Sequence, residues 1–320
     1  MPKKPFVNAA AWLNMSAVMN TIVAAHAAIQ LKSVTMNTMK TLPLTLLTGL
    51  ILSACGGQSS NSTTAPADSS ASGAAPAQTA AAPAGDSLAD RIASKGTIVV
   101  GTEGTYAPFT FRDAKGELTG YDVEVMNEVG KRLGVKVEYK ETQWDAIFAG
   151  LNSNRFDLIA NQVGVNDERK SKYEFSQPYT YSRAVVVTRA DDSSIKSFAD
   201  IKGKKTAQSL TSNYGKMAEK YGADITGVEG LAQAIELLKQ KRIELTMNDE
   251  LAILDFLKTK GDAGLKIALR GDEVESMAFV FNKGNEKAIA EFDKALEGMH
   301  QDGTIAKISD KYFGKDVSVK

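Results

Sequence analysis

Two residues of this chain are suited by type and position to hold a small charged molecule. Arg169 stands in the run Asp167-Glu168-Arg169-Lys170. Its guanidinium is a rigid two-pronged donor that matches a carboxylate, although a surface ion pair within the same run would satisfy it equally well. Asp249 closes Leu245-Thr-Met-Asn-Asp249, just past an expected strand. Loops at the carboxyl ends of strands are where open α/β sheets collect ligands, and an aspartate there can also cap the following helix. Further candidates are Tyr106 with Glu103 beside it, the aromatic Trp144, and the strand-end residues Asn161, Gln162 and Gly164. Thr211, Ser212, Asn213 and Tyr214 form a turn after another expected strand. Ser212 can cap a helix there, and the free N–H groups of that end attract a carboxylate.

Other chemistries are argued against by what is scarce. Cys55 is the only cysteine, and His26 and His300 are the only histidines. Beyond Cys55 the chain has no thiol and one histidine, in a run patterned as an amphipathic helix. With no thiol, and with the single histidine read as a surface residue, zinc sites and Cys-His or Ser-His-Asp centres are not expected. Gly101-Thr-Glu-Gly104 has neither the lysine nor the spacing of a phosphate loop. Lys plus Arg equals Asp plus Glu at 38 each, with no basic tract, so nucleic acid is not an expected partner. No cofactor or metal is expected.

The elements that must position these residues begin late. Leu42–Leu52 is apolar, preceded by Lys40 and followed by Ser53-Ala54-Cys55. This is the basic start, short apolar centre and small-residue exit of a secretory signal. It is too short for a membrane span, which needs about 20 apolar residues. Leu52-Ser-Ala-Cys55 resembles a bacterial lipobox, so Cys55 is the expected lipidation site and first mature residue. Residues 1–35 exceed an ordinary signal, and translation from an upstream start codon is the expected origin of that extension. Gly56–Asp86 is almost entirely Ser, Thr, Ala, Pro, Gly and Gln, a composition expected to form a disordered tether. It would reach roughly 30 Å root-mean-square.

From Leu88 onward the pattern alternates. Strands are expected at Thr97–Gly101, Val135–Tyr139, Phe156–Ala160, Lys205–Gln208 and Glu244–Met247. Helices are expected at Asp122–Leu133, Trp144–Asn152, Asn213–Tyr221, Leu231–Lys239, Glu250–Lys258, Ile289–His300 and Thr304–Phe313. That rhythm indicates βαβ units on mainly parallel sheets. About 230 residues exceed one ordinary core, so two lobes are expected. Phe109 and Phe111 are assigned to the core.

Val100-Gly-Thr-Glu-Gly-Thr-Tyr-Ala-Pro-Phe109, Gly120-Tyr-Asp-Val-Glu124, Gln143-Trp-Asp-Ala146, Asn161-Gln-Val-Gly-Val165 and Glu168-Arg169 resemble the polar amino-acid substrate-binding proteins of ABC importers (solute-binding protein family 3). The resemblance is nearest to the cystine/cysteine-binding branch and covers about Leu88 to Gly314. It implies a two-lobed, periplasmic-binding-protein-like (type II) α/β fold with the ligand cleft between lobes. It further implies that Arg169 holds the ligand α-carboxylate, that Asp249 faces the ammonium, and that Tyr106 and Trp144 wall the side chain. Asn161, Gln162 and Gly164 resemble the stretch that bonds the ligand's amino and carboxyl groups. The turn Ser209-Leu-Thr-Ser-Asn-Tyr214 departs from the family's Gly-Thr-Thr-rich pattern.

The expected organisation is an extension and signal over 1–54 and the lipidated cysteine and tether over 55–87. Lobe 1 is expected over 88–183 and 278–320, and lobe 2 over 184–277, with crossings at Arg183–Val187 and Ser276–Val280. The partners implied are an L-amino acid (cystine or cysteine), an ABC permease with its ATPase, and a membrane through the N-terminal lipid. The protein is expected to be a monomer on the extracytoplasmic face of a bacterial envelope. The rival readings are a cyclohexadienyl dehydratase-like lyase on the same fold, with Glu103 or Asp249 as general acid or base, and an amino-acid sensor.

Overall fold

The computed structural model describes residues 87–261 and 264–320. Cys55, the signal-like run and the expected tether lie outside the described residues.

Ser87 caps the first helix, Leu88–Lys95, through a reciprocal bond pair with Asp90. The expected elements do not include this helix, which is only eight residues long. The expected helices Trp144–Asn152, Leu231–Lys239 and Thr304–Phe313 have those bounds. The last long helix starts earlier than its apolar period indicates and runs Glu286–Gln301.

Two five-stranded sheets organise the chain. In the first, the order is Lys136–Glu141, Thr97–Thr102, Leu158–Ile159, Val280–Asn282 and Tyr173–Phe175. In the second it is Asp224–Gly227, Lys205–Gln208, Leu245–Asp249, Ala184–Arg189 and Leu265–Arg270. The first three strands of each order run parallel, and the fourth is antiparallel to both its neighbours. In each sheet that fourth strand is the one by which the chain arrives from the other sheet. The α/β rhythm predicts the parallel part and is silent on these arrivals.

The crossing itself is not where the apolar run Arg183–Val187 was expected to put it. Ala184–Arg189 is an inner strand of the second sheet, and its successive residues alternate between two cores. Val185 and Val187 pack with Ala234, Ile235 and Leu238, whereas Ala184 and Val186 pack with Tyr214, Ala218 and Met247. A strand covered on both faces reads as a continuous apolar run, and such a run cannot serve as a solvent-side hinge. The connection is the short antiparallel pair Thr180–Ser182 with Glu275–Met277, which belongs to neither large sheet. The expected second crossing, Ser276–Val280, overlaps this pair and then enters the first sheet.

Around the first sheet, Phe109, Tyr121, Met126, Phe279, Phe281 and Phe292 fill one core, and Trp144, Ile147, Leu151, Phe156 and Ile159 fill another. Phe109 is fully buried, but Phe111 lies half-buried on the hairpin Thr110–Arg112, so its assignment to the core is corrected. The strand expected over Phe156–Ala160 shortens to Leu158–Ile159. Phe156 instead presses its ring between the backbones of Gly101 and Gly150; a Cβ on Gly150 would stand 2.6 Å from that ring. Both glycines are therefore needed for close approach, which fixes the first strand against the helix carrying Trp144.

Candidate ligand-binding cleft

A cavity of about 520 Å³, counted out to its mouth, lies between the two sheets. One wall comes from the carboxyl ends of the first sheet and the helix behind them: Glu103, Tyr106, Trp144, Asn161 and Gln162. The opposite wall includes Gln208, Ser209, Ser212, Asn213, Tyr214 and Asn248, over an apolar floor that includes Ala207, Leu231 and Ala234. Eight residues proposed from sequence thus meet on one cavity. Four others, Arg169, Asp249, Gly164 and Thr211, do not line it.

Glu103 and Asn161 hold each other. The Glu103 N–H donates to Asn161 Oδ1 at 2.7 Å, and Asn161 Nδ2 donates to Glu103 Oε2 at 2.6 Å. Among the described residues, Glu103 is the one charged side chain on the cavity wall. Burial pushes its carboxyl up to about 7 despite the Asn161 bond. Gln162 sits at a φ of 49°, a left-handed conformation that is costly for a residue with a side chain. Its N–H is held there by Asp122 Oδ2. Asp122 is fully buried at the start of the helix Tyr121–Leu133, and burial raises its carboxyl to about 7. The segment Gly120–Glu124 carried the family resemblance, but nothing in the sequence assigned Asp122 this bracing role, because its partner is 40 residues away. Two buried polar atoms of cavity residues, Trp144 Nε1 and Gln162 Oε1, have no hydrogen-bond partner among the described residues.

Arg169 packs against Trp144. Its guanidinium carbon is 5.3 Å from the ring centroids of both Trp144 and Phe148, and Nη1 donates to the Gly164 carbonyl at 2.9 Å. The residue is 8 % exposed, and no carboxylate stands within ion-pairing distance among the described residues. Burial lowers its pKa against the pull of Glu275 and Glu168. The simple surface pairing considered for the run 167–170 is made instead by Glu168, which takes Lys172 and Lys216.

Asp249 fulfils the capping role. Its Oδ1 accepts from Leu251 N–H at 2.7 Å and Ala252 N–H at 3.3 Å at the head of the helix Glu250–Lys260, and from Ser182 Oγ at 2.9 Å. Its Oδ2 has only two long bonds, from Gln162 Nε2 and Tyr214 Oη, both 3.3 Å. Gly164 leaves open a point on which Asn213 Nδ2, Glu275 Oε2 and Arg169 Nη1 converge at 3.5, 3.5 and 3.7 Å. Thr211 is outside the cavity altogether, its hydroxyl donating to Asp145 Oδ1 at 2.7 Å. In the same turn, Ser212 caps the helix Asn213–Lys220 by accepting from the Gly215 N–H at 2.9 Å.

Sequence reasoning passed over Asn248 and Gln208, which line the cavity, and Glu275, which bonds to a lining residue. Asn248 accepts from Tyr106 Oη across the cavity at 2.7 Å. Gln208 ends the strand Lys205–Gln208, so the same strand-end rule that singled out Asp249 could have found it. Glu275 lies on the connecting pair and accepts from Asn213 Nδ2 at 2.8 Å. No local sequence signal marks it.

Three carboxyls, Glu103, Asp122 and Glu275, are each raised by burial to about 7. In the unfolded chain such groups ionise near 4, so between these values the folded state binds more protons. Its stability therefore grows as pH falls from 8 toward 6. The ligand-free protein is expected to melt at a higher temperature at pH 6 than at pH 8, with a smaller difference in Glu275→Gln. A calorimetric melting series that is flat or reversed over this range would contradict the assignment.

Residues 98–315 match the model of the bacterial extracellular solute-binding proteins, family 3. The chain is 57% identical over 228 residues to the L-cystine-binding protein TcyA of Bacillus subtilis (strain 168), covering 71% of this chain and 85% of the relative. Among solved structures, the L-cystine solute receptor of Neisseria gonorrhoeae in its unliganded open conformation is 54% identical, covers 73% of this chain and 100% of its own, and superposes with a TM-score of 0.52. An ancestral arginine-binding protein bound to glutamine is only 35% identical, with coverage of 69% and 99%, yet superposes at 0.66. The less similar but ligand-bound neighbour fits better, in keeping with the direct bonds that join the two sides of this cleft. This two-lobed α/β protein, with its cavity between the lobes, belongs to the bacterial extracellular solute-binding proteins of family 3.

Proposed function

We propose that the chain binds L-cystine, ahead of L-cysteine, between its lobes and presents the closed complex to an ABC permease and its ATPase. It would do so as a monomeric lipoprotein anchored through Cys55 on the extracytoplasmic face of the envelope. The observation that carries this reading is the pairing of a buried, unpaired guanidinium with a cavity whose one charged wall residue is a carboxylate. A zwitterion with more than one ammonium complements that arrangement, and a buried charge without its partner is costly. In this reading the α-carboxylate meets Arg169, and the α-ammonium meets Asp249 Oδ2, whose present bonds are long. The second ammonium of cystine meets Glu103. Trp144 and Tyr106 flank the sulfur atoms, which pack favourably on aromatic rings. Nothing in this scheme requires catalysis, and ligand recovered after long incubation should be chemically unchanged. Acylated Cys55 at the mature N-terminus is the mass expected for the anchored form.

A calorimetric screen of the twenty amino acids plus cystine, on refolded protein freed of carried-over ligand, tests the specificity. Cystine should bind most tightly, and preference for another amino acid would overturn the assignment. Arg169→Ala should weaken cystine binding by roughly two to three orders of magnitude, since stranding a desolvated charge costs about 3–5 kcal/mol. Arg169→Lys should recover only part, because one ammonium cannot reproduce the fork. Near-native affinity in Arg169→Ala would place the carboxylate elsewhere.

Glu103→Gln separates the two ammonium sites. It should weaken L-cystine about tenfold or more, as expected for a charge-assisted contact, and leave S-methyl-L-cysteine, with one ammonium, nearly unchanged. Wild-type affinity for cystine should also fall as pH drops below about 7, because the Glu103 carboxyl must lose its proton to receive the ligand cation. Equal losses for both ligands in Glu103→Gln would mean that Glu103 meets the α-ammonium instead.

A further inference from the structure

Outside the cavity, the helix Trp144–Asn152 of one lobe meets the loop Ser209–Ser212 of the other. The Asp145 carboxylate receives three donors from that loop: Leu210 N–H at 3.3 Å, Thr211 N–H at 3.1 Å and Thr211 Oγ1 at 2.7 Å. Neither Asp145 nor Thr211 lines the cavity. The loop is braced on its own side, since the Leu210 side chain lies against Gly227, where a Cβ would stand 3.3 Å from it. The next residue, Ser212, caps the helix that carries Asn213 and Tyr214 to the cavity wall. On the same flank, Lys216 of that helix pairs with Glu168, beside Arg169.

We propose that Asp145 and Thr211 form a clasp between the lobes, a positioning device that sets ligand affinity without touching the ligand. The proposal rests on the reading that the lobes close around a bound amino acid. Asp145 and its three donors come from different lobes, so their bonds exist only when the lobes are together. Apparent affinity equals the intrinsic affinity scaled by the fraction of molecules in the competent, closed form. Deleting bonds that belong to that form alone multiplies the dissociation constant of every ligand by one common factor. A residue that contacts ligand penalises different ligands unequally. The two backbone donors matter most here, because they fix the path of the loop leading to Ser212, Asn213 and Tyr214. Thr211, expected from sequence to face the ligand, is thereby assigned to closure.

Asp145→Ala and Thr211→Val, each in the full chain, test the clasp by titration calorimetry with L-cystine and L-cystathionine and by X-ray scattering with and without L-cystine. Asp145→Ala should weaken both ligands by the same factor, about fivefold to thirtyfold, and Thr211→Val by a smaller common factor, as expected for losing three bonds against one. The cystine-saturated variants should be as compact as the wild type. Unchanged affinities, or losses that differ between the two ligands, would overturn the clasp while leaving the binding reading intact. Wild-type protein that binds cystine without compaction would overturn closure and the clasp together. If Asp145→Ala fails to fold, Thr211→Val decides alone, because its backbone donor and loop remain.

Discussion

The costly feature of this protein is a guanidinium buried against two aromatic rings, with no ion-paired carboxylate among the described residues. Arg169 gives up most of its hydration and receives one backbone carbonyl and two π faces in return. Cation–π contacts of this kind are each worth on the order of 0.5–2 kcal/mol, less than the cost of desolvating a full charge. The fold must hold that arrangement, and the core around Trp144 and Phe156 contributes to doing so. Phe156, wedged against Gly101 and Gly150, locks the helix that presents Trp144. Arg169 packs on Trp144, which itself lines the cavity.

Carboxylates do the complementary work, and each answers to backbone as well as to any ligand. Asp122 holds Gln162 in its left-handed conformation, Asp249 caps a helix, and Asp145 gathers the N–H groups of a loop in the other lobe. Glu103 bonds to the Asn161 side chain and to the Trp144 backbone. Glu103 alone among these four acids lines the cavity.

The connection between lobes follows from how strands are covered. Both sheets receive an arriving strand in antiparallel sense at the fourth place, inside the sheet, where it is buried on both faces. Burial there makes the arrivals rigid and leaves the pair Thr180–Ser182 and Glu275–Met277 as the link outside the two large sheets. Glu275, on that link, bonds to Asn213 of the second lobe's cavity wall. The connecting pair and the cavity wall are thus joined by a hydrogen bond.

The sequence by itself determined the local elements and the strand ends at which function gathers. Apolar period and helix stops placed Trp144–Asn152 and Leu231–Lys239, because those signals depend on neighbours within a few turns. The family resemblance carried Glu103, Tyr106, Trp144, Asn161 and Gln162 to one wall, since they sit at or beside the ends of strands of one sheet. What only the tertiary structure decided is which side chain faces which. Asp122 against Gln162, Asp145 against Thr211 and Glu275 against Asn213 are contacts over separations of 40, 66 and 62 residues. No local pattern encodes such pairs, because each depends on how segments distant in the chain pack together. The same holds for Ala184–Val187. Its apolar run fits a buried strand or a crossing equally well, and only the covering of both its faces settles the choice.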